Sequence, residues 1–496
     1  MPIETTYLEL SEDGGASHKF YEVAIDDTTV TIRYGRIGSD GAKQTETLAD
    51  ADAAKKFADK KIAEKKKKGY AEAVMGMRKK RTVTRRFVSA PMPSSTSSSS
   101  SPYSRPAKNK PAPPVPKERV PLLWNFSSGS AAFGIFINEE ACWVGNEHGR
   151  VFKLNHQGEV LTQYTLPDGV KCVIADKNWI YVGCDDGKVY DLTGKVPRVA
   201  YEINDDIDIY WLDIYNGLLG VSDAEGNVIL ANYEGDEIGR RKGKGTSAWM
   251  IRLDEQNIYY GDNQGMACFS LEDGSDSWVQ NVGSVLFGWQ EKDAVYAGTG
   301  RQTIAKVSKA GELLKTYQAD GTIFSCATSE NGKFVFGGDS SNFIYCFNEA
   351  GERLWKLHTN CGTALSMQYF QEKLYIVTNY GSLACIDASE EAIEKAKTGE
   401  LPQTIQLKAP EAIAVAETMT LETIAPTAGK VILKCVKADG KLRVQVESQG
   451  YNASWFVQFP NNLRQEGKLY AVDGLQEASQ GGFYRVLGEI YQLSLN

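Results

Sequence analysis

The residues best placed to do chemistry in this chain of 496 are cations and a ring near its start. The stretch Val30-Thr31-Ile32-Arg33-Tyr34-Gly35-Arg36-Ile37-Gly38 sets a phenol and a guanidinium on either side of Gly35, and an unbroken run of Lys65, Lys66, Lys67 and Lys68 follows, closed by Gly69-Tyr70. A guanidinium is a rigid fork of N–H donors matched to phosphate or carboxylate, and ammonium groups act as point charges. This is the chemistry of capture. Bond-making chemistry has no such signal: no Ser-His-Asp arrangement, Walker phosphate loop, Gly-x-Gly-x-x-Gly strand-to-helix turn or metalloprotease motif is found. The four histidines, at 18, 148, 156 and 358, lack metal-ligand spacing, and Asp185-Asp186 and Asp262 occupy hairpin turns, where Asp serves geometry. No catalytic residue, metal or cofactor is therefore expected.

Positioning these cations requires a small framework. Tyr21, Val23 and Ile25 alternate with polar neighbours, as do Val30, Ile32 and Tyr34, and Asp26-Asp27-Thr28 between them can turn, which predicts a half-buried hairpin. Over residues 48–68, Ala51, Ala54, Phe57, Ala58 and Ile62 share one helical face. Asp50 and Asp52 fall at the positive end of that helix, the lysines at its negative end, and Gly69 stops it.

This segment resembles the WGR domain, a module named for a Trp-Gly-Arg triplet and best known in DNA-dependent poly(ADP-ribose) polymerases. The resemblance implies a helix on a small antiparallel sheet that grips nucleic acid ends or docks on other domains, with Tyr34 as stacker and Arg36 as anchor. Here Tyr34 replaces the family's Trp, giving a smaller ring with a polar tip and a weaker stack. Tyr34, Gly35, Arg36 and Lys65 to Lys68 are thus the candidate nucleic-acid or partner contacts.

The charge is divided in a way that supports this. Residues 1–119 hold 23 Lys and Arg against 15 Asp and Glu, leaving 32 against 48 for residues 120–496, and the overall formal charge is −8. A polyanion would be met by the head, not the body. The nine cysteines, at 142, 172, 184, 268, 326, 346, 361, 385 and 435, include no Cys-x-x-Cys pair and fall mostly in apolar strand-like segments, as buried reduced thiols do. No apolar stretch is long enough for a membrane span, and the start Met-Pro-Ile-Glu lacks the apolar core of a signal peptide, so a cytoplasmic protein is expected.

Four parts are expected: a WGR domain at 1–79; a basic, serine- and proline-rich disordered linker at 80–119; a seven-bladed β-propeller at 120–409; and a small antiparallel β domain at 410–496. The propeller rests on an internal repeat. Strands of the type Ile180-Tyr181-Val182-Gly183 recur with anchors at 145, 183, 222, 261, 298, 337 and 378, a period near 39, each followed by turns and short strands. The seventh copy lacks a fourth strand before a helix-like stretch at 389–397. Leu122-Leu123-Trp124-Asn125-Phe126-Ser127 is proposed to supply it, with Thr404-Ile405-Gln406-Leu407 as rival. The repeats resemble those of pyrroloquinoline-quinone-type propellers, a likeness that implies the fold and not the cofactor.

At the propeller rim, Asp205, Asp206 and Asp208 enter the third blade and Arg240, Arg241 and Lys242 the fourth, ahead of Tyr210, Trp211 and Trp249. Side by side, these would make a bipolar surface suited to protein recognition, or neighbouring loops that merely neutralise each other. In the last domain, Trp455, Phe459, Arg464, Tyr470 and Tyr484 either line a binding face or form core. The whole reads as mainly β and as a non-enzymatic adaptor. DNA or another nucleic acid would meet its head and a protein its propeller. The alternatives are an enzyme or small-ligand receptor using the propeller mouth, and a scaffold that binds protein alone.

Overall fold

A computed structural model describes residues 4–11, 18–36, 42–67, 70–72, 119–176, 179–194, 196–204, 207–398, 402–410, 421–425, 429–478 and 481–493. The linker expected at 80–119 lies outside them, save Arg119. Two compact units divide the chain, the bulk of one from residues 1–118 and of the other from residues 119–496.

In the first unit, strands β1 (Glu4–Ser11), β2 (His18–Asp26), β3 (Thr29–Arg36), β4 (Ala42–Thr47) and β5 (Ala71–Glu72) form one sheet in the order β4-β3-β2-β1-β5. The β2–β3 turn passes through Asp27 at φ 53°, a left-handed conformation that Asp tolerates. Helix α1 (Ala51–Lys67) starts where the Asp50 carboxylate accepts the Ala53 N–H at 2.7 Å. Its Ala54 and Ala58 are fully buried, small enough to bring the helix close to Leu8, Tyr21, Val23, Val30 and Ile32. Phe57 and Ile62 complete this face, while Ala51 is exposed.

The second unit contains a seven-bladed propeller. Six blades are four-stranded antiparallel sheets in chain order, from Ala132–Ile137 through Thr165, then 170–202, 209–242, 250–280, 285–318 and 323–358. The seventh takes Ala364–Phe370, Lys373–Thr378 and Ser382–Asp387, and its fourth strand is Leu122–Ser127, with Phe126 opposite Leu383 and Trp124 opposite Cys385. Ile405–Lys408 does not compete for that place. It adds a fifth strand, parallel to Leu122–Ser127, so both candidates for closure are used in series. Inner strands of successive blades pack side by side, and that of blade seven returns to that of blade one.

The repeated glycine has a packing cause. On the second strand of a blade it faces the first residue of the next blade's inner strand: a β-carbon on Gly261 would sit 2.5 Å from Val285 Cγ1, and one on Gly298 2.8 Å from Ile323 Cγ2. Cross-strand register moves the sixth and seventh anchors by one residue. Gly338, opposite Ser325, and Val377, opposite Ser366, are the equivalents of Gly145 opposite Gly134. The Asp and Asn residues that follow do turn geometry: Asp262 accepts the Gln264 N–H at 2.7 Å and Asp339 those of Ser341 and Phe343.

Helix α2 (Glu390–Thr398), capped by the Ser389 hydroxyl on Ala392 N–H, buries Ile393 and Ala396 against the sixth and seventh blades. Beyond it, Val431–Ala438, Lys441–Val446, Phe456–Gln458, Leu469–Glu477 and Phe483–Leu493 close into a five-stranded Greek-key barrel. One pairing in the ring, Phe456–Gln458 with the fifth strand, is parallel. Phe459, Tyr470 and Tyr484 are buried in the barrel core, and Arg464 donates to the carbonyls of Phe459 and Glu234, so this set is core and dock instead of an open binding face.

The barrel is docked on blades two and three through polar groups taken out of water. Arg485, 3% exposed, pairs with Asp176 at 2.6 Å and lies 4.7 Å over the Trp179 ring, whose Nε1 donates to Val486 O. Arg198 donates to Gly488 O and Asp191, Gln458 to the Tyr201 hydroxyl, and Tyr233 stacks on Phe483 at 3.8 Å. Among the described residues no helix is long and apolar enough to cross a membrane.

One charge is buried deep in blade two. Lys171, 2% exposed, contacts Asp185 directly; burial works against its ammonium, yet Asp185 and Asp208 hold its pKa above the ordinary lysine value. Lys171→Met is expected to destabilise the propeller by about 3–5 kcal/mol, because two carboxylates lose their buried countercharge. The double change Lys171→Met with Asp185→Leu should recover most of this in urea unfolding; no recovery would mean that lost packing, not charge, is the cause.

Candidate binding site

At one end of the first unit's core, rings and a cation stack in a column. Strand β3 alternates, so Val30, Ile32 and Tyr34 point to the helix side, and at the last pair of the β3–β4 ladder Tyr34 emerges 41% exposed. Its ring lies 6.2 Å from that of buried Tyr21, inclined by 29°. On Tyr21 sits the Lys65 ammonium, 4.4 Å from the ring centroid and 5.3 Å from that of Tyr70, which meets Tyr21 edge-on. Such cation–π contacts hold an ammonium in place. The last turn of α1 thus carries an oriented charge beside an exposed ring.

The rest of the lysine run differs residue by residue. Lys66 pairs with Glu72 of β5 at 2.5 Å, and that hydrogen bond lowers the Glu72 pKa; both side chains are largely exposed. Lys67 is exposed, and Lys68 lies outside the described residues. Gly35 and Arg36 end β3, with the Arg36 side chain outside the described atoms. Tyr21 and Tyr70 were not among the expected site residues. Tyr21 read as core, which it also is, and Tyr70 was visible only as the residue after the helix-stopping glycine. On the opposite face of the sheet Arg33 lies 5.5 Å over Phe20 and 3.4 Å from Glu22, and Tyr7 stacks on Phe20.

The bipolar propeller rim is not built as the sequence suggested. Arg240, Arg241 and Lys242 belong to the outer strand Glu237–Lys242 of blade three, paired with Asn227–Ala231, and the loop begins only at Gly243. Arg240 is forked by Glu237, and Arg241 reaches Asp276 of blade four at 2.5 Å. Arg240 meets the connection into blade three once, donating to Ile203 O. Asp205 and Asp206 lie outside the described residues, and Asp208 is buried. Tyr210, Trp211 and Trp249 are buried too. Trp249 stacks between Tyr210, at 3.8 Å, and Phe133 from across the ring, at 6.2 Å, and with Leu365 these rings close one end of the central channel. The periodicity found the inner strands correctly, but the side chains at these positions are buried inside the ring, not exposed on its rim.

The thiols are poor nucleophiles. All nine cysteines are free and buried, and burial pushes Cys142, Cys326, Cys361 and Cys385 up to about 12. His156 Nδ1 lies 3.6 Å from Cys142 Sγ and 3.1 Å from the Tyr375 hydroxyl, a thiol–imidazole contact the sequence spacing did not reveal. With that thiol raised, the contact is a buried hydrogen-bond cluster.

Comparison with known proteins fits this division. Residues 4–77 match the model of the WGR domain family. That match covers the sheet, α1 and the tyrosine–lysine column. No curated protein matches the chain. Among solved structures, the WD40 β-propeller domain of Doa1 aligns at 11% identity over 55% of this chain and 98% of that one, with a TM-score of 0.49. The computationally designed Ika8 protein aligns at 12% identity over 54% and 99%, with a TM-score of 0.43. The propeller assignment stands on the seven sheets and their closure.

In the WGR domain, fold and site separate by burial. Tyr21→Ala should cost about 3–5 kcal/mol, as loss of a large core ring does, whereas Tyr34→Ala should change stability by less than about 1 kcal/mol. Thermal melts of the two variants would check this; equal losses would make Tyr34 a core residue.

Proposed function

We propose that the chain is a non-enzymatic adaptor whose WGR head takes hold of nucleic acid while its propeller engages a protein. The observation that carries the first half is the column of Tyr34, Tyr21, Lys65 and Tyr70. An exposed ring offers a sequence-tolerant stacking face, and the ammonium of Lys65, with Lys66, Lys67 and Lys68 next to it in the chain and Arg36 two residues after Tyr34, supplies charge for the backbone. Double-stranded DNA ends are the preferred ligand, because the WGR family resemblance implies them and because an end leaves a terminal base pair free to stack. Arg36 is assigned as phosphate anchor.

The propeller half rests on form and charge. A closed ring has no free sheet edges at its core, and the acidic body, 32 Lys and Arg against 48 Asp and Glu, disfavours a second polyanion contact there. The loops and outer strands are then left to protein recognition. The repeats' likeness to the pyrroloquinoline-quinone type contributes fold alone, and the protein acts in the cytoplasm, where its nine thiols stay reduced.

The full chain would be titrated with a labelled blunt duplex over a salt series. Binding is expected to weaken with log[salt] at a slope of about −0.9 per phosphate neutralised. Lys65→Ala combined with Lys67→Ala should lower that slope, and Tyr34→Ala should weaken binding at every salt concentration by about 1–3 kcal/mol. Absence of binding at low salt, or binding indifferent to all three changes, would leave the protein-only scaffold as the correct reading.

A further inference from the structure

We propose that the open end of the propeller channel is a binding well for a small monocarboxylate with a flat apolar body, gripped by Arg252. This goes beyond the adaptor reading and does not depend on the head. The channel is blocked at one end by the stack of Phe133, Trp249 and Tyr210. Toward the other end lies a cavity of about 230 Å³ whose walls include Phe136, Ile174, Trp211, Phe287, Trp289 and Met367. A second, more polar cavity of about 490 Å³ adjoins it at blades three to five, and the two share Asp213, Ile214, Arg252 and Trp289. An apolar chamber entered past a few polar groups is the usual form of a small-molecule site.

Arg252 stands at the shared wall with its hydrogen bonding incomplete. Its guanidinium carbon lies 5.5 Å from the centroids of both Trp211 and Trp289. Nη2 donates to Gly288 O at 2.8 Å, Nη1 comes no closer than 4.0 Å to Asp213, and Nε is buried without an acceptor. Asp213 is taken instead by the Leu253 N–H at 2.6 Å. Nη1, with no acceptor closer than 4.0 Å, is the donor that a carboxylate oxygen entering the cavity meets with a charge-assisted bond.

The surroundings set the rest of the ligand. Two indoles and two phenyl rings favour a flat apolar body. One negative charge is the simplest match, since besides Arg252 the polar cavity sets Asp213, Asp254 and Glu291 against Lys292 and Lys309. Asp254 is already held by Lys309 at 2.9 Å and the Tyr259 hydroxyl at 2.8 Å, and Glu291 by Trp289 Nε1 at 3.0 Å, so Lys309 is taken and the ligand's charge is left to Arg252.

The full chain would be titrated by calorimetry with 2-naphthoate and with its uncharged isostere, 2-naphthamide. Naphthoate is expected to bind with a Kd below about 1 mM, and the amide about tenfold more weakly, the worth of one charge-assisted hydrogen bond. Arg252→Gln should abolish the preference for the carboxylate. Ile214→Trp, a change at a half-buried wall position, should fill the well and remove binding of both, which keeps the test decisive if Arg252→Gln does not fold. No naphthoate binding at millimolar concentration, equal affinity for acid and amide, or binding that survives Ile214→Trp would overturn the proposal.

Discussion

The larger unit depends on the pairing of Leu122–Ser127 with Ser382–Asp387. Each blade buries its faces mainly against its neighbours, so a seventh sheet without this fourth strand would leave an open ladder and expose Trp124 and Phe126, which are now buried. Closure works because most seams share one local fit. A glycine on the second strand lets the β-branched residue that opens the next inner strand come close, as at Gly261 with Val285 and Gly298 with Ile323. Where the second strand carries Ser222 or Val377 instead, the seam is filled by other side chains, and the ring tolerates the exceptions because the remaining seams fix its curvature.

How much of this the sequence disclosed follows from how local each signal is. Glycine spacing near 39 reports a contact repeated at most seams, so blade number and inner strands were legible, as were the β2–β3 hairpin and the apolar face of α1. The error of one residue at the sixth and seventh anchors arose because Gly337-Gly338 and Val377-Thr378 satisfy the pattern equally well in one dimension. Only cross-strand register separates them. Closure of the barrel was illegible for the same reason. The pairing of Phe456–Gln458 with Phe483–Leu493 is parallel and long-range, and alternation within a strand carries no information about its partner.

The candidate site shows the same division. Tyr34 and the lysines declared themselves by type, but the ring that joins them, Tyr21, is a core residue by periodicity and a site residue by position. Burial also reversed the reading of the propeller aromatics. Tyr210, Trp211 and Trp249 lie at the start of inner strands and are buried within the ring, where they form the plug and the well instead of a rim. The basic residues beside them in sequence, Arg240 to Lys242, moved the other way, onto the circumference. Charge and aromaticity that look adjacent along the chain are therefore segregated by the radius of the ring.

The barrel bears on this geometry through blade two. Asp176, the partner of Arg485, is the last residue of the inner strand Val170–Asp176, whose Val173, Ile174 and Ala175 line the well. Trp179, held by Val486 O and covered by the same guanidinium, starts the next strand. A desolvated Arg–Asp pair adds little net stability once its dehydration is counted, but it penalises every alternative docking that would leave either charge unmatched. The polar interface therefore acts on specificity. Its Arg485 and Val486 contacts fall on blade two beside the wall that faces Trp211 and Arg252 on the next two blades. A sandwich of one guanidinium between two indoles is tolerant of chemistry but not of spacing, since ring contacts weaken steeply with distance. A rigid clamp at the end of the neighbouring strand is what such a site requires, and the buried arginines supply it beside the Tyr233–Phe483 stack.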